Sequence, residues 1–342
     1  METGIDSFVA TNLEGSPKPE EAAARIAALL EEIETADAVG LDVFGIGEHH
    51  RCEFLDSAPA VLLAAAAART KRIRLASAVT VLSAADPVRV FQEFATLDLV
   101  SNGRADLVVG RGSFGEAYPL FGMRFEDYDS LFTEKLDLLL KLREQPEITW
   151  SGRHRPALER QRVTPRPVQN PLPVWVGVGG TPQSFARAGA LGLPLMVAII
   201  GGQPARFRPL IDLYREAGAE AGHAPDSLKV GVHFLGHVAE TDERAAEEFF
   251  PGYQRMFTKI GRERGWPPTT WEQFEAGRSA AGALLVGSPE TVIEKALGFH
   301  RVLGGLSRIT FQMSVAGLSH EAMIPAIRLL GEKVAPALRS GA

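Results

Sequence analysis

Cysteine is all but missing from this chain of 342 residues: Cys52 stands alone. No disulfide can therefore close within the chain, and nothing points to an oxidising compartment. Basic blocks are missing too. The formal charge is -6, with no run of Lys or Arg to offset it, which argues against a nucleic-acid footprint and against attraction to an anionic membrane. Small neutral or cationic substrates stay open. Long apolar runs are also lacking, since the most hydrophobic stretches, 61–68 and 191–200, fall well short of the ~20 residues that span a bilayer. Residues 1–10 carry no basic n-region, and Asp6 and Ser7 interrupt their apolar stretch, so a secretory signal is not expected. The expectation is a cytoplasmic protein that engages neither nucleic acid nor membrane. No repeat period or low-complexity tract is found. Cys52 reads either as a thiolate nucleophile or, more commonly for a single cysteine, as a buried inert side chain.

What is present is an alternation. Strands are expected at Ile5–Ala10, Val43–Ile46, Ile73–Leu82, Ala105–Val109, Val174–Val178, Pro194–Ile200, Leu228–Ala239 and Arg308–Met313. Amphipathic helices fall between them at Glu20–Val39, Ala58–Arg69, Pro87–Val100, Asp127–Arg143, Thr181–Leu191, Pro204–Gly222 and Pro289–Val302, with a last one at Glu321–Leu338. Gly40 closes the first helix, Pro87 opens the third, and Asn102-Gly103 marks a turn. Two segments break the rhythm. Glu147–Pro173 carries five prolines and leaves room only for a short hairpin or an irregular crossing. Glu243–Gly282 is longer and less regular, with Phe249, Phe250, Tyr253, Phe257 and Trp266 ahead of Pro267-Pro268. Eight strand-helix units predict one (β/α)8 TIM barrel over residues 1–342, with insertions after the fourth helix and the seventh strand. A doubly wound open sheet would alternate in the same way, but would gather its ligand at one switch point.

Four segments carry chemistry. The second strand ends on Glu48, His49, His50 and Arg51, at the strand exit where a barrel builds its active site. Along an extended chain Glu48 and His50 share one side and His49 faces the other, so the three cannot ligate one metal unless the chain turns. A single imidazole serving as donor or general acid/base needs no such convergence. The segment 175–184, WVGVGGTPQS, is a strand, then glycines, then a helix opening at Pro182. Its unsatisfied amides and dipole suit a phosphate, and Thr181 and Ser184 can add hydroxyls; alternatively Thr181 merely caps the helix. It is neither a P-loop nor a full dinucleotide fingerprint. Arg111, between Gly110 and Gly112, could pair with a phosphate or an anionic ring, or simply be a surface charge. Small residues along 76–79, Ala76, Ser77, Ala78 and Val79, either admit a flat ring close to the backbone or thin the strand to suit the barrel's taper.

Taken together, GLDVFGIGEHH ending at His50, RTKRIRLASAVTVL from Arg69, DPVR from Asp86, LDLVSNGR ending at Arg104, Gly110-Arg111-Gly112, PVWVGVGGT ending at Thr181 and GLPL from Gly192 resemble the bacterial luciferase-like flavin-dependent monooxygenases. The match runs in order to about Gly202. The resemblance implies a (β/α)8 barrel that binds flavin mononucleotide (FMN), as a homodimer. The flavin phosphate would sit on Gly179, Gly180, Thr181 and Ser184, and the ring over Ala76, Ser77, Ala78 and Val79, with a non-prolyl cis peptide at Ala78-Val79. Arg111 falls on the family's flavin-side arginine and His49 on its catalytic histidine; Glu48 and His50 would orient His49 or serve a subunit contact.

The activity so implied is oxidation of a small organic substrate by O2. Reduced FMN would form a C4a-peroxide that His49 hydrogen-bonds or protonates. No separate nicotinamide fingerprint is present, so the reducing equivalents would come from a partner flavin reductase, or from NAD(P)H directly. The aromatic 249–266 region would form a lid or only pack on the barrel. Three other classes stay open: a deazaflavin-dependent dehydrogenase on the same barrel, a flavin-binding protein without turnover, and a metal hydrolase.

Overall fold

A computed structural model describes residues 1–11, 15–314 and 317–342. Eight parallel strands close on themselves: β1 (Glu2–Ser7), β2 (Val43–Ile46), β3 (Arg74–Ser77), β5 (Ala105–Gly110), β8 (Val174–Val178), β9 (Leu195–Ile199), β10 (Val230–Val238) and β12 (Arg308–Gln312), with β12 pairing back onto β1. This is the (β/α)8 barrel, and the open-sheet alternative falls. Two-residue β4 (Thr80–Val81) continues the line of β3 and pairs with β5. Between β3 and β4 lies a cis Ala78-Val79 peptide, so the single strand expected over 73–82 is two pieces. Three glycines on neighbouring strands make room for that break. A Cβ at Gly45 would lie 2.9 Å from Ala78 Cβ, and one at Gly110 or at Gly177 would come within 2.7 Å of a Val79 methyl.

The helices form because their sequences carry both the stripe and the stops. In α1 (Pro19–Ala38), Leu29, Ile33 and Ala36 face the core. In α3 (Pro87–Ser101), the Asp86 carboxylate accepts the Val88 and Arg89 amides, at 2.9 and 3.2 Å, and the helix ends on left-handed Asn102 followed by Gly103. An N-cap of this kind stabilises by ~1 kcal/mol. Helix α2 (Pro59–Ala67) is apolar on every side. The remaining outer helices are α4 (Ala117–Leu120), α5 (Tyr128–Glu144), α6 (Pro182–Ala190), α7 (Arg208–Glu220), α10 (Pro289–Val302), α11 (His320–Leu329) and α12 (Ala335–Gly341).

The first insertion is a hairpin, β6 (Glu147–Trp150) with β7 (Leu158–Arg162). The second is not irregular: it is the 23-residue helix α8 (Asp242–Arg264), which absorbs Pro251, followed by α9 (Trp271–Arg278) and a short strand β11 (Leu285–Gly287) paired with β10. The first strand also sits earlier than expected, at Glu2–Ser7, because Val9 takes a positive φ of 49° and leaves the ladder.

Inside the barrel the side chains lie in layers. At the base Arg308 bonds Asp106 at 2.8 Å and lies over the Trp175 ring at 4.3 Å, and Arg74 bonds the other Asp106 oxygen. Burial works to raise the Asp106 carboxyl, but Arg308 and Arg74 outweigh it and hold the group below its ordinary range. Above this lies an apolar layer of Val43, Ala76, Val108, Trp175 and Met196. The top layer is polar, with Asp6, His233 and Thr310 facing a cavity. No helix among the described residues is long and apolar enough to cross a membrane.

Candidate active site

The cavity, about 660 Å³, opens at the C-terminal ends of the strands and is lined by residues from nearly every barrel loop. His49, Ala76–Val79, Arg111, Gly179, Gly180 and Thr181 all line it, so segments far apart in sequence share one space. Ser184 sits just behind, on α6.

At one end is a nest of donors. Proline at the first turn of α6 leaves Thr181 as its N-cap, yet the Thr181 hydroxyl makes no capping bond. It is free, with Ser184, to receive Arg111, whose Nη2 lies 3.5 Å from Thr181 Oγ1 and 3.3 Å from Ser184 Oγ. A Cβ on Gly179 or Gly180 would meet nothing within 4 Å, so their backbone faces open space. Arg111 is held from behind by the Tyr128 ring at 4.9 Å and by Tyr118, whose hydroxyl donates to the Arg111 carbonyl at 2.8 Å. Arg187, one turn into α6, shares Asp129 with Arg111, at 3.1 and 3.2 Å, and its Nη1 is buried with no partner. Uncapped amides, two hydroxyls and the Arg111 guanidinium fit a phosphate.

At the other end stands His49, 9 % exposed. Its backbone N–H donates to Asp56 Oδ1 at 3.1 Å and its Nδ1 lies 2.8 Å from Oδ2 of the same carboxylate. Asp56 is fully enclosed; burial raises its carboxyl above the ordinary value, and the bonds from His49 pull against that rise. The ring is packed by Phe8 at 4.4 Å, Phe54 at 4.7 Å and Phe114 at 5.6 Å. With Nδ1 engaged, Nε2 is the nitrogen left for chemistry. Asp56 was not foreseen from the sequence, which offered Glu48 and His50 for this task. Those two bond each other at 3.3 Å instead, and Glu48 Oε2 accepts the Val81 amide at 2.8 Å, tying the β2 exit to β4.

The floor between the two ends is the β3–β4 break. Ser77 there is wholly buried and its hydroxyl is committed to β5, donating to the Val108 carbonyl at 2.8 Å. The roof is α8 and the turn after it, which contribute Tyr253, Phe257, Ile260, Arg264 and Trp266. The inner face of α8, Ala245, Ala246 and Phe249, packs against Leu235, Phe274, Leu284 and Val286, and an ion network ties down its C-terminal end. Arg51 bonds Glu263 on α8 at 2.5 Å, Glu116 at 2.6 Å and Glu53 at 3.0 Å, and Lys259 bonds Glu53 at 2.6 Å. Glu53 is driven down to about 2: burial opposes the change, but Lys259 and Arg51 prevail.

Cys52 corrects the expectation of a buried thiol. It is exposed, its Sγ donates to Glu53 Oε2 at 3.3 Å, and it does not line the cavity. His233 and His237 on β10 are each engaged with a separate carboxylate, Asp6 and Glu248. Among the described residues no group of three or more His, Cys, Asp or Glu is placed to hold a metal ion.

A closed parallel barrel with a donor nest and an oriented imidazole across one mouth defines a (β/α)8 barrel with a candidate active site at the strand ends. The chain belongs to the luciferase-like monooxygenase family, whose model matches residues 5–304. It is 27 % identical over 326 residues to a 4-hydroxyprotoasukamycin monooxygenase of Streptomyces nodosus subsp. asukaensis, covering 90 % of this chain and 85 % of that one. In fold it is similar to the oxygenating constituent of 3,6-diketocamphane monooxygenase from Pseudomonas putida, solved with FMN. There the TM-score is 0.80 at 21 % identity, over 98 % of each chain. It is also similar to an F420-dependent secondary alcohol dehydrogenase, with TM-score 0.75 at 19 % identity over 99 % of each chain.

Proposed function

We propose that this protein is an FMN-dependent monooxygenase, a single barrel domain that uses reduced flavin and O2 to oxidise a small organic substrate. One observation carries the reading: the Arg111–Thr181–Ser184 nest and the Asp56-held His49 stand along a single cavity floored by the β3–β4 break. Bound there, the flavin would supply the electrons that activate dioxygen. Gly179, Gly180, Thr181, Ser184 and Arg111 would hold its phosphate, and the backbone of Ala76–Val79 would support its ring. His49 Nε2 would hold or move the proton that oxygen transfer requires, with Asp56 keeping the imidazole in register. The aromatic underside of α8 would exclude water from the reaction.

The reading includes a homodimer and an external electron source, either a flavin reductase or NAD(P)H. In support of a second copy, the all-apolar α2 packs beside α3 and the pair leave Val61, Leu99 and Val100 at 69, 45 and 52 % exposure. A helix apolar on all sides is normally covered.

The test is a titration of the protein with FMN, riboflavin and a deazaflavin, followed by oxygen-uptake measurements with chemically reduced FMN. Tight FMN binding, weaker riboflavin binding and oxygen uptake that rises with substrate are expected. Riboflavin binding as tightly as FMN would refute the phosphate nest. Deazaflavin-linked hydride transfer with no oxygen use would move the protein to the second reading, which the F420-dependent fold relative favours.

A further inference from the structure

The cavity contains a second imidazole that the proposed activity does not use. His233 lines it from β10 and is 6 % exposed. Its Nδ1 lies 2.6 Å from Oδ2 of Asp6 on β1, and Thr310 on β12 donates its hydroxyl to the same carboxylate oxygen. Strand β12 lies between β10 and β1, and the ladder sets His233 directly beside Thr310, so three adjacent strands build this cluster. An ionised carboxylate only accepts hydrogen bonds. Nδ1 of His233 is therefore the donor of this pair, and among the described residues no donor faces Nε2.

His49 is held in the same way from the other side. Both rings lie against Phe8, His49 at 4.4 Å and His233 stacked at 6.0 Å with planes 12° apart. Two imidazoles, each fixed through Nδ1 by its own buried carboxylate, thus flank one phenyl ring over one cavity. His49 stands on the side of the β3–β4 break; His233 lies across Phe8 from it. A neutral imidazole in this tautomer is an acceptor and a base, so what it recognises is a hydroxyl. His233 lies against Phe8, and the cavity they share is lined further by Phe54, Phe114, Tyr253 and Phe257, flat and apolar side chains that suit an aromatic ring.

We propose that His233 is a substrate-side catalytic base and that the substrate class is a phenol or a similarly flat enol, whose O–H donates to His233 Nε2. In the step assigned to it the O–H bond breaks and its electron pair stays on oxygen. The proton forms an N–H bond at Nε2, and Asp6 faces the imidazolium that results. No electrons change hands. The oxyanion enriches the ring carbons next to it for the oxygen transfer of the proposed activity, on which this inference rests.

The experiment titrates flavin-free protein calorimetrically with 2-naphthol and with 2-methoxynaphthalene, which differ in the O–H donor, and repeats both with FMN. The wild type should bind naphthol at least tenfold more tightly. His233→Leu should lose that preference with methoxynaphthalene affinity unchanged, and His49→Leu should keep it. Equal binding of the two probes by the wild type overturns the proposal, as does a preference that follows His49 instead. Should His233→Leu fail to fold, ring-nitrogen NMR of 15N-histidine-labelled wild type decides. The Nδ1-protonated form of His233 is expected, with an Nε2 signal that naphthol moves and methoxynaphthalene does not; the opposite tautomer or an unmoved signal overturns it. Naphthol preference without FMN binding sinks the cofactor reading alone, and FMN binding without naphthol preference sinks this inference alone.

Discussion

Replacing Gly177 by alanine tests the geometry of the cavity floor without any cofactor. The added Cβ would sit 2.7 Å from Val79 Cγ1, and the far side of Val79 is tight as well, since a Cβ on Gly110 would lie 2.7 Å from its Cγ2. Gly177 does not occupy the left-handed region, so alanine tests space and not backbone freedom. Overpacking of this kind costs about 1–3 kcal/mol, and the stiffer unfolded chain returns ~0.4–1 kcal/mol. A net loss of about 1–2 kcal/mol is expected, a factor of roughly 5–30 in the folded-to-unfolded ratio. Urea unfolding of the wild type, Gly177→Ala, Val79→Ala and the double variant measures it, and the cycle isolates the contact. Trimming Val79 should relieve most of the penalty, giving a coupling of about 1 kcal/mol or more. A Gly177→Ala protein within ~0.5 kcal/mol of wild type, or a penalty undiminished in the Val79→Ala background, refutes the steric account of the glycine triplet.

Other expectations follow from the same geometry. Arg111→Ala should weaken FMN binding by about 10–100-fold, the equivalent of one or two charge-assisted hydrogen bonds, and leave riboflavin binding unchanged; flavin fluorescence quenching reads both. His49→Gln should lower flavin-dependent oxygen transfer by roughly 10²–10⁴ at nearly constant FMN affinity, and full turnover would remove His49 from the mechanism. Arg51→Ala removes the guanidinium that ties Glu263 of α8 to Glu116 and Glu53, so limited trypsin digestion near Arg262 and Arg264 should quicken relative to the rest of the chain. His237 supplies a pH test. Burial, opposed by Glu248, lowers its pKa below 6.5, and its Nδ1 is enclosed with no partner among the described residues. As pH falls below about 6.5 the unfolded chain takes up the proton first, so the fold loses up to ~1.4 kcal/mol per pH unit until the native imidazole titrates. His237→Gln should flatten that part of the stability profile measured by thermal unfolding.

The barrel was legible because parallel strands buried on both faces write themselves as unbroken apolar runs. Val43–Ile46 and Val174–Val178 coincide with their expected bounds, and Asp86-Pro87 with Asn102-Gly103 bracket α3 from chemistry alone. Residues 242–264 were harder, since Pro251 beside Gly252 looks like a break, whereas in the fold the helix runs on through it. Strand β11 has three residues and exists only through its pairing with β10. Of the candidate site, the residues at strand exits carried a local signal. Asp56 did not, being joined to His49 by a turn with no periodicity. Asp6 and His233 are 227 positions apart, and only closure of the ring makes them neighbours.

The ionic layer of Arg74, Asp106 and Arg308 has a consequence for traffic. Asp106 and Arg308 are 1 and 3 % exposed, so the barrel is stoppered from below and its contents come and go on the side of the strands' C-terminal ends. Under the proposed function, a flavin lying on the floor would arrive before the molecule it oxidises and leave after it, in a compulsory queue. Product inhibition that competes with substrate, and flavin release that waits on product, are the kinetic marks of such a dead-end chamber.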